Sequence, residues 1–367
     1  MSENNGLFIA ATVTKIILLI LNTLGNLLVI QAIARSHRLR TASNYLVANL
    51  ALCDLLSPLL NIPVDISVDI AGDTWLYGTT VCKLVWPSAT LFTISSALTL
   101  VTISIDRSRA LRHPFVTKLT TRQSLALIFL THAFSFIVIV PYAMASVVRD
   151  GKCREDWSSS HFQPRQYTLI VFHVQYLVPL IILAFVYSKA AHYLYRCTKN
   201  LVKLELDGHS RHSENSTVAH FLRRHRRFRG IKKTAQRSRG LKIRGEQNAR
   251  VVKMFAIVVA VFAIFTLPNN VRWLLTDFGN YSEYEHRRII SFLCVTCTYA
   301  NCLANPIIYG TLSRDYKSHF MRILTVRRNE EKHDLVHQRP RGRPTTPRKC
   351  KRSLNDGHAR EIITTMV

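Results

Sequence analysis

Seven long apolar stretches constrain the fold of this chain more than any other feature. Each is near or above the ~20 residues that an α-helix needs to cross a bilayer. They cover residues 7–34, 43–70, 82–105, 123–147, 167–190, 251–275 and 289–311. A soluble protein of this size could bury two or three wholly apolar helices, but not seven in series. The sequence therefore predicts an all-α membrane protein, a bundle of seven transmembrane helices.

The connectors between the stretches carry the net charge of +27. Basic clusters follow the first span at 35–40 and the third at 109–122, and a long basic loop, 196–249, separates the fifth span from the sixth. Cytoplasmic loops are enriched in Lys and Arg. These connectors are therefore predicted to be cytoplasmic, with the N-terminus outside, in a multi-pass protein of the plasma membrane. The first apolar run is too long for a signal-peptide core and is interpreted as a signal anchor.

The predicted boundaries are a short extracellular N-terminus (1–6), the bundle (7–311), an amphipathic eighth helix (312–325) and a disordered basic tail (326–367). The basic loop would lie against anionic membrane lipids at about 1 kcal/mol per basic residue, or is a solvated linker. The final TMV, with Thr365 and the carboxylate of Val367, resembles a PDZ-domain ligand, although three residues also match by chance. PRGRP at 340–344 resembles a DNA minor-groove hook, but in this context no nucleic-acid partner is expected.

The cysteines agree with this topology. Of eight cysteines, only Cys82 and Cys153 fall at predicted extracellular positions, where they can form one disulfide. The remaining cysteines have no metal-ligand spacing, and no metal site or cofactor is expected beyond the sodium ion considered below. Asn280 begins an NYS glycosylation sequon in a predicted extracellular loop.

A series of short motifs carries a resemblance over about residues 7–325. In order they are LGNLLVI in the first span, NLALCDLL in the second, TW before CK, DRS closing the third, Pro179 in the fifth, FTLP in the sixth and NPIIY in the seventh. In order and spacing the chain resembles a rhodopsin-like (class A) G-protein-coupled receptor. The segments around the third span, QYLVPL and PNNVRWLLTDFG are most similar to neuropeptide receptors.

Asp54 is a carboxylate near the middle of the bilayer, which costs at least ~2.5 kcal/mol and marks a functional candidate. The resemblance implies that it shares a small polar cavity with three other side chains, with a fifth close by. The set is Asp54, Ser96, Asn301, Asn305 and, nearby, Asn26. Oxygen ligands of this kind suit a sodium ion acting as an allosteric modulator; the alternative is a hydrated hydrogen-bond network without an ion.

The resemblance places the effector end at the foot of the third span. There Asp106 would hold the guanidinium of Arg107 until activation releases it for a heterotrimeric G protein. Tyr187 and Tyr309 are its expected partners in the active state. Pro306 would distort the seventh span so that Tyr309 can move between two packings, coupled to outward movement of span six.

Three departures from the family pattern concern this switch. Ser108 follows the arginine in place of the usual tyrosine, Thr266 stands two residues before Pro268 in place of tryptophan, and Asn248 replaces an acid common at that position. Phe262 is retained. With these restraints missing, agonist-free signalling is expected. The alternative function is a weakly signalling or constitutively active orphan receptor that acts as a scaffold.

Residues at two positions argue against two common classes of ligand, and other sequence features argue against a transporter or an enzyme. An aspartate in the third span marks amine receptors, and Ala89 stands there; a lysine in the seventh marks opsins, and Tyr299 stands there. No internal repeat suggests a transporter, and no nucleophile, base or metal cluster suggests an enzyme.

Two acids at the outer end of the second span, Asp65 and Asp69, lie one helical turn apart on one face. The resemblance brings further polar and aromatic residues close to them, namely Trp86, Gln175, Asn269, Asn270 and Trp273. Lys15 would either neutralise one acid or extend to the membrane interface. Because the segment before the first span is short, the site is expected at the mouth of the bundle. The predicted ligand is a short peptide with Arg or Lys near its buried end and either a free or an amidated C-terminus.

Overall fold

The computed structural model describes residues 2–113, 119–158, 163–214, 228–279, 284, 286–323 and 325, excluding the side chains of 2–5, 198 and 200–248. The described residues do not include Asn280. They also exclude the predicted tail, with Thr365 and Val367, and the side chain of Asn248. The contacts below all lie within residues 1–321.

The described chain is almost entirely helical. Its long helices and one π-helical turn are Ser2–Arg35, Ala42–Ile70, Gly78–Arg112, Thr121–Ala145, Pro164–Phe172, His173–Leu177 (π), Val178–Glu214, Phe228–Phe278 and Arg287–Leu312. A short helix over 314–323 follows, close to the predicted eighth helix. Within the described residues, seven segments are long and apolar enough to span a membrane. They are called spans one to seven and comprise Gly6–Arg35, Ala42–Ile70, Gly78–Arg112, Thr121–Ala145, Pro164–Cys197, Ala249–Phe278 and Arg287–Leu312. The predicted seven-helix bundle is confirmed.

One strand pair lies in the connection between spans four and five. Strands Ser146–Arg149 and Lys152–Glu155 are antiparallel, with Val148 opposite Cys153. Asp150 and Gly151 join them with positive φ angles of 50° and 68°, as a two-residue hairpin turn of the primed type requires. A hairpin was not predicted in this connection, although an Asp-Gly pair flanked by alternating residues is a strong hairpin signal.

The hairpin is attached to the bundle at two points. Cys153 forms a disulfide with Cys82 at the start of span three, as predicted. The backbone N–H of Trp75 donates to the carbonyl of Gly151 at 2.7 Å, while its ring packs 5.3 Å from Trp86. These contacts fix the hairpin over the opening between the spans. This end of the bundle is called the hairpin end below, and the opposite end the Arg107 end.

Span five contains a turn of π-helix, His173–Leu177. Pro179 lies two residues after its end and has no N–H to donate to the carbonyl of Gln175 four residues earlier. The missing bond gives a physical reason for the wider turn at this place. Gln175 and Tyr176 are both buried in it, and the Tyr176 hydroxyl donates to the carbonyl of Ala263 in span six at 3.0 Å.

Spans one and seven meet closely at Gly25. A Cβ atom at this position would lie 3.1 Å from the Cβ of Pro306. Such a distance is tighter than ordinary van der Waals contact, so only glycine fits without a shift of span seven. The hydrophobic core continues from here to the Arg107 end, where Phe255 and Tyr309 are almost completely buried.

Candidate functional site

A cavity of about 380 Å³ opens among the spans at the hairpin end. Its volume is typical of sites that bind small molecules or the end of a peptide. Six of the seven predicted ligand-binding residues line it: Asp65, Trp86, Gln175, Asn269, Asn270 and Trp273. Residues that the sequence analysis did not select also contribute, among them Tyr142, Glu155, Tyr167, Arg272 and Tyr299.

Asp65 is the carboxylate on the span-two wall of the cavity. The indole Nε1 of Trp86 in span three donates to its Oδ1 at 3.3 Å, and the hydroxyl of Tyr299 in span seven donates to its Oδ2 at 3.2 Å. A carboxylate can accept about four hydrogen bonds. Asp65 is therefore oriented by two neighbouring spans and keeps capacity for a donor from a ligand.

Asp69, the seventh predicted residue, does not line the cavity. Its Oδ2 lies 2.5 Å from the Nζ of Lys15 in span one, and the Lys15 side chain is only 12% exposed. Of the two placements considered for Lys15, the structure has the ion pair. Pairing with Lys15 neutralises Asp69 and leaves Asp65 as the acid that faces the cavity.

Glu155, at the end of the hairpin, supplies a second carboxylate. The indole Nε1 of Trp157 donates to its Oε2 at 2.9 Å. Burial is the main influence on the Glu155 carboxyl, and it raises its pKa above the ordinary value. The Trp157 hydrogen bond opposes that rise in pKa, Asp277 adds to it, and the charge of Arg272 opposes it.

Aromatic rings form the wall next to Glu155. The Tyr142 ring lies 5.9 Å from Tyr167 and 6.3 Å from Trp273, and Tyr167 lies 5.1 Å from Trp157. The guanidinium of Arg272 lies 5.0 Å over the ring of Trp273. The cavity thus combines two carboxylates with several ring faces, which suits a cation with an apolar body. Two arginines also line it: Arg154 is paired with Asp150 at 3.6 Å, and Arg272 lies over Trp273.

The predicted polar network at Asp54 is present in part. Asn305 Nδ2 donates to Asp54 Oδ2 at 2.7 Å, and Ser96 Oγ lies 3.4 Å from Oδ1. A small cavity of about 10 Å³, close to the size that holds one water, is lined by Asp54, Ser96 and Asn301. Asn305 turns its amide donor toward the carboxylate, so the oxygen set for a cation is Asp54, Ser96 and Asn301. A carboxylate, a hydroxyl and an amide fit a hard monovalent ion.

Asn26, predicted to lie close to this network, bonds to the backbone of spans one and seven. Its Nδ2 donates to the carbonyls of Asn22 at 3.1 Å and of Cys302 at 3.3 Å. Cys302 lies four residues before Pro306, so its carbonyl has lost its helical partner. Asn26 supplies the missing donor across spans one and seven, while its own Oδ1 accepts no hydrogen bond from the described residues.

The contacts of Asp106 and Arg107 differ from the expected pair. Asp106 Oδ2 accepts from Ser43 Oγ at 2.5 Å. Arg107 Nη2 donates instead to Asn44 Oδ1 at 3.4 Å, and its guanidinium lies 5.8 Å over the ring of Phe255 in span six. The reason is geometric, because consecutive helical residues do not face each other.

Three of the remaining switch residues, Tyr187, Phe262 and Tyr309, belong to the hydrophobic core that reaches the Arg107 end. The Tyr309 ring stacks on Tyr316 at 5.6 Å and lies 6.0 Å from Phe255. Tyr187 forms a hydrogen bond with Ser104 at 3.0 Å. Phe262 is 3% exposed, and Pro268 lies within the helix of span six.

Comparison with known proteins agrees with this architecture. Residues 25–309 match the family described as "7 transmembrane receptor (rhodopsin family)". The chain is 27% identical over 315 residues to a mouse "Pyroglutamylated RF-amide peptide receptor", covering 81% of this chain and 65% of that protein. It is 24% identical over 316 residues to the rat "Neuropeptide FF receptor 2", covering 81% of this chain and 68% of that protein. Both relatives are receptors rather than enzymes. This chain belongs to the rhodopsin family of seven-transmembrane receptors.

Proposed function

We propose that this receptor transmits the binding of a short cationic peptide at the hairpin end to a heterotrimeric G protein at the Arg107 end. The observation that carries the proposal is the cavity of about 380 Å³, in which Asp65 and Glu155 lie among aromatic walls. A guanidinium or ammonium group would bind these carboxylates and lie over the rings.

The names of the relatives suggest which kind of peptide binds. One is a receptor for an RF-amide peptide and the other for neuropeptide FF. We infer a peptide whose buried end carries Arg or Lys next to an apolar residue, with an amide in place of the terminal carboxylate. An amide avoids placing an anion beside Asp65 and Glu155.

The proposed orientation puts the hairpin end outside the cell. The disulfide of Cys82 and Cys153 lies at that end, and disulfides persist in oxidising compartments. The basic connectors at 35–40, 109–122 and 196–249 would face the cytoplasm and its anionic lipids. A PDZ-domain protein at Thr365 and Val367 remains part of the proposal.

Signal transfer would use span six. Arg107 contacts Phe255 of that span and a neutral amide, Asn44. Outward movement of span six would remove Phe255 and make the guanidinium accessible to the G protein. Asp54, Ser96 and Asn301 would hold a sodium ion, whose positive charge would offset the buried carboxylate.

The recognition step is tested with an amidated Arg-Phe peptide and its citrulline analogue, which replaces the guanidinium with a neutral isostere. Asp65→Asn and Glu155→Gln should each weaken the arginine peptide by about 10- to 100-fold and leave the citrulline peptide nearly unchanged. Asp73→Asn is the matched control, because Asp73 is an exposed acid paired with Arg288. Equal losses for both peptides would contradict cation recognition.

The signalling step is tested with Arg107→Ala. This variant should bind the peptide but lose G-protein activation, whereas Arg109→Ala, which removes an exposed arginine two residues away, should signal. A wild type that binds peptide without a G-protein response would favour the scaffold alternative.

A further inference from the structure

Among the described residues, none of span one lines the cavity. One span-one side chain, however, bonds to a residue of span seven that does line it. Asn22 is completely buried. Its Nδ2 donates to the carbonyl of Leu18 in its own helix at 2.9 Å and to the carbonyl of Tyr299 at 3.1 Å. The second bond crosses between the two spans.

The bond from Asn22 to Tyr299 is not required by a proline. Asn26 repairs the carbonyl that Pro306 leaves without a donor. The Tyr299 carbonyl lies four residues before Leu303, which keeps a backbone N–H within the helix Arg287–Leu312. Asn22 therefore adds a donor to a carbonyl that already has one in the helix. Such a bond restrains where this turn of span seven lies, rather than filling a gap.

The restrained turn carries a wall of the ligand cavity. The Tyr299 hydroxyl donates to Asp65 Oδ2 at 3.2 Å, so a displacement of this turn would move one of the two donors that orient Asp65. Lys15, seven residues before Asn22 and on the same face of span one, pairs with Asp69. Span one is thus linked to both acids of span two, directly to Asp69 through Lys15 and indirectly to Asp65 through Asn22 and Tyr299.

We propose that Asn22 is a positioning residue for cation recognition: its bond to the Tyr299 carbonyl places the Tyr299 hydroxyl, which in turn orients Asp65 toward the ligand. This inference rests on the proposed recognition of a cationic peptide. Asn22 touches no ligand in this scheme and acts only through Tyr299.

The test compares Asn22→Leu, Tyr299→Phe and the double variant, using the amidated Arg-Phe peptide and its citrulline analogue. Binding is normalised to receptor at the cell surface. Each single variant should weaken the arginine peptide by about tenfold and the citrulline peptide by less than about twofold. The double variant should lose no more than Tyr299→Phe alone, because both changes interrupt one chain of contacts. Thr14→Ala, which removes a bond within span one only, should match the wild type.

Two results would overturn the inference: additive losses in the double variant, or equal weakening of both peptides by Asn22→Leu, which would indicate a general packing defect. If the leucine variant does not reach the surface, Asn22→Ser decides. Serine can still bond the Leu18 carbonyl but cannot reach span seven, so it should reproduce the selective loss. If Asp65→Asn discriminates the two peptides but no Asn22 variant does, only this inference fails. If Asp65→Asn does not discriminate them either, the proposed function fails.

Discussion

Neutralising Glu155 should reduce the pH dependence of peptide binding. The ionised carboxylate is the form that holds a cation, and burial raises the pKa of this carboxyl above its ordinary value of 4.5. Protonation therefore begins at a higher pH than for an exposed glutamate. Affinity should be complete above the raised pKa and should be lost as the pH falls through it.

The size of the effect follows from the contacts. A hydrogen bond to a charged group contributes about 1.5–3 kcal/mol, which corresponds to about 10- to 150-fold in affinity. Trp157 already donates to Oε2, so the ligand would share the carboxylate. We expect the lower part of this range. Glu155→Gln should weaken the arginine peptide by about tenfold at neutral pH and make its affinity less dependent on pH than that of the wild type.

The assay is competition binding from about pH 7.5 to about pH 5, a range in which an ordinary exposed acid stays ionised. Asp156→Asn is the control, because hydrogen bonds from Ser158 lower the pKa of the neighbouring Asp156 carboxyl. That variant should keep the wild-type pH profile. The reasoning fails if Glu155→Gln keeps the wild-type slope, or if the citrulline peptide shows the same slope in the wild type.

Three further predictions concern the scaffold. His132→Leu should lower the thermal stability of the purified receptor by about 1–3 kcal/mol, because the ring contacts a buried span-two amide at 2.9 Å that would lose its partner. Gly25→Val should destabilise the receptor more than Gly25→Ala in the same melting assay, since even the Cβ of alanine would lie 3.1 Å from Pro306; equal melting temperatures would contradict this. Cys82 and Cys153 should react with a maleimide only after reduction, and replacing both by serine should weaken peptide binding by releasing the hairpin.

Local patterns in the sequence were enough for the spans, because each apolar run is set by the bilayer and not by contacts with the rest of the chain. Asp65 and Trp86 could also be predicted as site residues, since their places follow from helical spacing and the family motifs. Glu155 could not be predicted, because its position depends on a hairpin that was not recognised from its Asp-Gly turn. Tyr142 and Tyr167 resemble ordinary apolar residues of a span until the packing of the helices brings them to one cavity.

The expected pair of Asp106 and Arg107 shows the limit of such reasoning. Adjacent letters in a motif do not identify the partners of either side chain, and here Ser43 and Asn44 of span two provide them. The bonding partner of Asn26 could not be predicted for a similar reason. Its partner is a backbone carbonyl, which no residue-type pattern records.

The wide turn at His173–Leu177 has a consequence for comparing this receptor with its relatives. A π-helical turn holds one more residue than the α-helical turn it replaces, so residues of span five before it are rotated by about 100° relative to a regular helix. A relative without this turn would need a one-residue gap within span five. An ungapped alignment would pair Thr168, which lines the cavity, with a residue on a different face, and substitutions transferred from that relative would then change the wrong side of the helix.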